Sequence, residues 1–195
     1  KPRLVKTPWS EKEIPFIQAA VIGTEKVIND HSTIAVAVTT DGSFGEIPRE
    51  NFIDAERRTI KQLKETKKPF VLVLNSAKPQ DSSVKKLANN LQKEYSAPVV
   101  AMNVNELKKE DVDIIMTEIL KEFPIEVVNI KMPKWLKPLD MENPTIKEIL
   151  NEVNSAMSGV ERIGEYDTNK VLFENSNCFE PILNSNIEMS TGEIA

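Results

Sequence analysis

Glycine is scarce in this chain, with six in 195 residues, and none of the six is followed by lysine. No Gly-x-x-x-x-Gly-Lys-Ser/Thr phosphate loop therefore occurs in it. Without that loop nothing supplies the nest of backbone N–H groups and the lysine that hold β- and γ-phosphates. Hydrolysis of a nucleotide by these residues alone is not expected, and no catalytic residue is assigned. Cys178 is the single cysteine and His31 the single histidine, which excludes a disulfide framework within the chain and a Cys/His zinc cluster. A reducing, cytoplasmic setting is expected, and Cys178 reads as a small packed residue. No run approaches the roughly 18 apolar residues of a membrane span. The opening KPRLVKTPW has charge but no apolar signal core behind it, so secretion is not expected. It also lacks an initiating Met, which suggests a fragment. Positive charge is short as well: 25 Lys and Arg stand against 30 Asp and Glu, for a net charge of −5. With no basic stripe, nucleic acid is not an expected partner.

What is present reads as an ordinary globular chain, 40% hydrophobic and 28% charged. Its length allows one domain and part of another. Three apolar, β-branched runs dominate: Ser32–Thr40 entering Asp41-Gly42-Ser43, Pro69–Leu74 entering Asn75-Ser76-Ala77-Lys78-Pro79, and Pro98–Val104. Strands this apolar imply a parallel sheet covered on both faces, with ligands outside the carboxyl ends of the strands. Between the runs, 3–4 spacing predicts helices over Glu50–Thr66 and Ser82–Tyr95. In the first, Ile53, Ile60 and Leu63 lie inward, with Glu and Arg on the other face. In the second the stripe is Val84, Leu87, Ala88, Leu91 and Tyr95. A helix capped by Asp111 should run to Phe123 with Val112, Ile115, Met116, Ile119 and Leu120 inward. An earlier helix is expected over Ile14–Asp30, and residues 1–13 read as loop. Strands alternating with helices imply right-handed βαβ units, so the three strands should lie side by side, about half of a doubly wound sheet.

Beyond this, Ile125–Lys131 alternates like a strand, and Met132–Pro144 reads as a proline-rich linker. A long helix should follow, with a capping box at Thr145–Glu148 and a C-cap at Gly164. The tail has weak strand patches at Lys170–Phe173 and Ile187–Met189. A domain boundary falls near residue 130, giving 1–130 and 131–195.

The strand-end loops are the candidate sites. In P-loop GTPases the strand at the place of Asn75 ends in Asn-Lys-x-Asp, whose Asp accepts hydrogen bonds from guanine. Here position 78 is Lys, which has no acceptor to offer, so guanine specificity should be absent. Asn75, Ser76 and Lys78 are the base-side candidates, against the plainer reading that Asn75 is a turn residue closing a strand. At the first strand's mouth, Thr40 and Asp41 could reach Mg²⁺ or phosphate through water. The alternative is a tight Asp41-Gly42 turn with threonines capping the strand. His31 is placed to cap helix carbonyls, and Trp9 and Trp135 to anchor their loops.

The stretch TPWSEKEIPFIQAAVIGTEKVINDHSTIAVAVTTDGSFGEIPRENF, followed by KPFVLVLNSAKPQ and PVVAMNVNEL, closely resembles the stage IV sporulation protein A family. The resemblance covers nearly the whole chain and is strongest over residues 7–130. It implies the C-terminal half of a doubly wound, mostly parallel, P-loop NTPase-like sheet, then the start of an α+β middle domain. It further implies a parent ATPase using ATP and Mg²⁺ to drive self-assembly of the spore coat basement layer, with the fragment itself inactive and without bound cofactor. The implied partners are further copies of itself, spore coat proteins and a membrane-surface anchor. The implied location is the mother-cell cytoplasm at the forespore outer membrane surface. The segment 8–24 would occupy the place of a mobile switch, and the family's phosphate-binding and metal-binding residues would lie before Lys1. The alternative is a catalytically inactive scaffold that keeps a nucleotide-binding fold only for filament interfaces.

Overall fold

The computed structural model describes residues 3–130, 132–136, 138–176, 178–182, 187, 188, 193 and 194. They fall into two compact units, Lys1–Ile115 and Met116–Ala195.

The first unit is built on three parallel strands, β3 (Ala35–Thr40), β4 (Phe70–Asn75) and β5 (Val99–Met102), in the order β3-β4-β5. The apolar runs thus form the side-by-side parallel sheet their composition requires. Helix α2 (Glu50–Thr66) connects β3 to β4, and α3 (Ser82–Tyr95) connects β4 to β5, each with its expected bounds. Both helices end on a left-handed residue, Lys67 at φ 56° and Ser96 at φ 43°, with a proline two positions on. A chain cannot continue as helix through that combination.

Phe70, Leu72 and Leu74 point to the face carrying α2 and α3, where they pack with Ile60 and Leu63 of α2 and Val84, Ala88, Leu91 and Tyr95 of α3. Each such buried aliphatic contributes about 1.5–3 kcal/mol. Coverage of both faces holds only for β4, where Phe70–Leu74 are all buried. On β3, Val36 is 47% and Val38 62% exposed. The strands step in one direction, so right-handed crossovers put α2 and α3 on the same face. That leaves the other face of edge strand β3 bare among the described residues.

Ahead of the sheet, residues 1–13 are not all loop. β1 (Leu4–Thr7) and β2 (Ser10–Pro15) form an antiparallel hairpin around Pro8-Trp9. The helix expected from Ile14 begins later, as α1 (Phe16–Lys26), and passes into a π turn over Val27–His31. Lys68 Nζ takes the Ile28 and Asn29 carbonyls and Ser32 Oγ also donates to Ile28. The end of this segment is thus capped by Lys68 and Ser32, while the side chain expected to cap it, His31, is exposed.

Helix α4 (Lys109–Lys121) crosses from the first unit into the second. Asp111 sits inside it and reaches back to accept the Lys108 N–H at 2.9 Å, a first-turn role in place of the N-cap. Val112 and Met116, expected inward, are 47% and 41% exposed, whereas Ile119 is fully buried.

In the second unit, Ile125–Ile130 is not a strand: beside the isolated Pro124–Arg162 bridge the Ile125 N–H donates to the Glu161 carbonyl at 2.9 Å, but no ladder continues along it among the described residues, and Val127 is 70% exposed. Lys131, the last residue of that expected strand, lies outside the described residues. Helix α5 (Pro144–Met157) starts from Asn143, whose side chain accepts the Thr145 N–H, with Pro144 in the first turn. Asn143 therefore takes the cap expected of Thr145. The helix stops short of Gly164, because Gly159 turns the chain at φ 77°. Ile146 and Ile149 pack with Leu136 of the proline-rich segment. In that segment the anchor is Leu136, and Trp135 is 67% exposed. Cys178 is exposed too, contrary to its reading as a packed residue. In the tail, Leu172 bridges Ile182, and β6 (Ile187–Glu188) pairs with β7 (Glu193–Ile194); Met189 lies outside the described residues. Among the described residues no helix is long and apolar enough to cross a membrane.

Candidate functional site

Parallel register brings the polar strand ends together. Thr40 is the Cα partner of Asn75, and Asn75 of Met102, so all three strands end at one level. The Asp41 N–H donates to the Asn75 carbonyl at 3.2 Å, and the Ser76 N–H to the Met102 carbonyl at 2.9 Å. Asn75 Oδ1 accepts the Val104 N–H at 3.0 Å. Asn75 thus closes its strand and ties the loop after β4 to the loop after β5. Ser76 is fully buried, and its hydroxyl accepts the Lys78 N–H at 3.1 Å. Lys78 itself is exposed.

Thr40 and Asp41 lie beside this loop. Thr40 Oγ1 accepts the Gly42 N–H at 3.0 Å. Asp41 Oδ1 takes both the backbone N–H (2.8 Å) and the hydroxyl (2.5 Å) of Ser43. Burial pushes the Asp41 carboxyl up, but hydrogen bonds from the Ser43 and Ser76 side chains and the Ser43 backbone outweigh it. The carboxyl is left below its ordinary value, charged and already satisfied. Ser43 also joins the two mouths, its Oγ accepting the Ala77 N–H at 2.8 Å. All five expected site residues therefore stand in one loop cluster.

Sequence reasoning missed a polar network directly beneath the first loop. Glu56 of α2 is buried, and its carboxylate receives Arg49 NH1 on one oxygen and NH2 on the other, each at 3.1 Å. Tyr95 Oη donates to Glu56 at 2.7 Å, and the Thr39 hydroxyl makes a short hydrogen bond to the same carboxylate. Arg49 NH1 also donates to the Thr40 carbonyl at 2.6 Å. Burial, and after it the hydrogen bond and charge of Glu56, push the Tyr95 hydroxyl up to about 12. A signal was available: positions 53, 56, 60 and 63 form one 3–4 stripe, so Glu56 falls on the apolar face of α2 and not on the charged one. A lone carboxylate in such a stripe needs a buried partner.

Sheet and loop cluster together define an α/β protein of the parallel-sheet class, its polar loops gathered and interlocked at the carboxyl ends of the strands. Comparison with known proteins makes this particular. The family model described as the ATPase domain of stage IV sporulation protein A matches residues 1–124. Stage IV sporulation protein A of Bacillus anthracis is 41% identical over 166 residues, 85% of this chain and 34% of that protein. Its counterpart in Bacillus subtilis (strain 168) is 42% identical over 167 residues, with the same two shares, 85% and 34%. The Clostridioides difficile (strain 630) protein is 36% identical over 194 residues, 100% of this chain and 40% of its own length. No solved structure matches. The chain belongs to the stage IV sporulation protein A family, and it spans between 34% and 40% of the length of these relatives.

Proposed function

We propose that residues 1–130 are the second half of a doubly wound, P-loop-type ATPase domain and that 131–195 begin a middle domain. In the whole protein, ATP hydrolysis drives self-assembly of the spore coat basement layer in the mother-cell cytoplasm, at a membrane-surface anchor and beneath further coat proteins. This chain contributes the base side of the nucleotide site, and Asn75, Ser76 and Lys78 form the loop beside the base. Thr40 and Asp41 line its edge. The observation that carries the reading is Asn75 itself: it ends the central parallel strand and braces the neighbouring loop through Val104, in a chain matched by an ATPase-domain family.

The strand-end donors and acceptors suit the base side of a nucleotide. Among the described residues no group of three or more His, Cys, Asp or Glu is arranged to hold a metal ion. Asp41 is occupied by Ser43. In this reading the chain's part is to orient the nucleotide, and Mg²⁺ and the phosphates are held chiefly by the other half of the domain. Lys78 offers donors only, which suits an acceptor-bearing base edge and not the guanine N1 and N2 donors.

The test is ATP turnover and sedimentable assembly by the full-length protein carrying this sequence, with and without Asn75→Ala. Loss of the Val104 brace should weaken ATP affinity by about tenfold, the scale of one to two kcal/mol for a buried hydrogen bond. Unchanged affinity removes Asn75 from the site. Assembly at the same rate without any ATP turnover replaces the enzyme reading by that of an inactive scaffold.

A further inference from the structure

The loop 41–48 between β3 and α2 is held at both ends by the same guanidinium-bearing residue. At its start the Thr40 carbonyl accepts Arg49 NH1 at 2.6 Å. At its end stands the backbone of Arg49, so close to Gly42 that a β-carbon there would lie 2.9 Å from the Arg49 nitrogen. The Arg49 side chain is 14% exposed and that of Glu56 3%. A carboxylate this buried is costly unless paired. Glu56 fixes the guanidinium in a two-pronged grip, a geometry that an ammonium does not reproduce. Tyr95 from α3 and Thr39 from β3 lock the carboxylate from two other elements. Downstream of the clamp, Ser43 carries the order across to Ala77 in the loop after β4.

We infer that Arg49 and Glu56 are positioning residues for the strand-end site, clamping the base of the 41–48 loop so that Asp41 and Ser43 are held against the Asn75–Lys78 loop. Neither touches the ligand. They act through the Thr40 carbonyl and the Ser43 bridge, and set how well formed the site is before anything binds. The link to nucleotide rests on the functional reading above; the clamp itself does not.

The experiment uses the full-length protein and reads two quantities, amide hydrogen exchange without ligand and steady-state ATP hydrolysis. Arg49→Met should speed exchange in peptides covering Gly42, Ser43 and Ala77 by about tenfold, the local opening expected when one charged hydrogen bond is lost. Exchange in Phe70–Leu74 should stay unchanged. KM for ATP should rise by a similar factor with kcat within about twofold, because binding geometry is lost and not chemistry. Arg49→Lys should recover part of both effects, and Arg58→Met, at an exposed arginine of α2 whose Nε donates to the Asp54 carbonyl, should have neither. Should Arg49→Met fail to fold, Ser43→Ala probes the same linkage from the surface and should loosen Ala77 and raise KM. Unchanged exchange at 41–43 and 77, or an equal rise throughout β4, overturns the clamp. Loosened loops with an unmoved KM overturn the positioning role. Failure of the unaltered protein to turn over ATP is a different result, and it removes the nucleotide reading before any variant is made.

Discussion

At the scale of single residues, the buried Glu56 carboxylate shows how a charge is kept inside an α/β core. It has Arg49, Thr39 and Tyr95 as partners, and each would be left stranded by its removal. Tyr95 gives this a measurable pH signature. Its hydroxyl ordinarily ionises near 10.0 and is pushed up to about 12 in the folded chain. Below pH 10 both states keep the proton, and the stabilisation from the Tyr95–Glu56 bond is present in full. As pH rises from 10 towards 12 the unfolded phenol ionises first, so that stabilisation is lost across this window. Tyr95→Phe should cost about 1–3 kcal/mol at neutral pH, the scale for a hydrogen bond to a charged group. In urea unfolding, the gap between the unaltered chain and Tyr95→Phe should then close as the solution is made more alkaline. A gap that stays constant through this range would show that the bond is not coupled to the phenol's ionisation.

At the scale of elements, β3 is the strand whose two faces differ. Its alternate residues Ala35 and Ala37 pack on the helical side, while Val36 and Val38 are open. Val73, next door on β4, is 1% exposed. In the 195-residue chain Val38→Thr should therefore change stability by less than about 0.5 kcal/mol. Val73→Thr, which buries a hydroxyl in an apolar layer, should cost about 1–3 kcal/mol. Chemical denaturation of the two variants decides it, and equal losses would mean that β3 is covered on both faces. The bounds of α2 and α3 were legible because each combines a 3–4 apolar stripe with a stop signal, a proline two positions beyond Lys67 or Ser96. The β-branched runs were equally plain, since only a central parallel strand can be as uniformly apolar as Phe70–Leu74. The hairpin over residues 4–15 was hidden, because SEKEIP has no alternation and its pairing with LVKT comes from the turn at Pro8-Trp9. Ile125–Ile130 misled in the opposite way: alternation is local, but a strand needs a partner at a distance. That the five candidate residues gather at the strand ends was legible from their place after the apolar runs. Arg49 and Glu56 were not, because charge patterning assigns Glu to the wet face of a helix until the 53-56-60-63 spacing is weighed against it.

At the scale of the whole molecule, the scarcity of glycine and the loop cluster lead to one expectation about the chain in solution. Triphosphate is recognised chiefly by backbone N–H groups presented from a glycine-rich turn, with a lysine to balance charge. No glycine here precedes lysine, and the acidic balance of −5 repels a polyanion slightly. What remains for ATP under the proposed reading is the Asn75–Lys78 loop, where Asn75 Oδ1 and the Ser76 hydroxyl are already engaged. A few polar contacts to one edge of a base must offset several kcal/mol of lost translational and rotational freedom. Little affinity survives that comparison, and the 195-residue chain should bind ATP no more tightly than about 1 mM, near −4 kcal/mol. Calorimetric titration of the chain with ATP, in the presence and absence of Mg²⁺, measures this directly. A dissociation constant of about 10 μM, some 3 kcal/mol stronger, would mean that these strand-end loops grip phosphate by themselves. The lysine-free loops around Gly42 and Gly45, with their left-handed φ of 84° and 80°, would then be where to look for the N–H groups responsible.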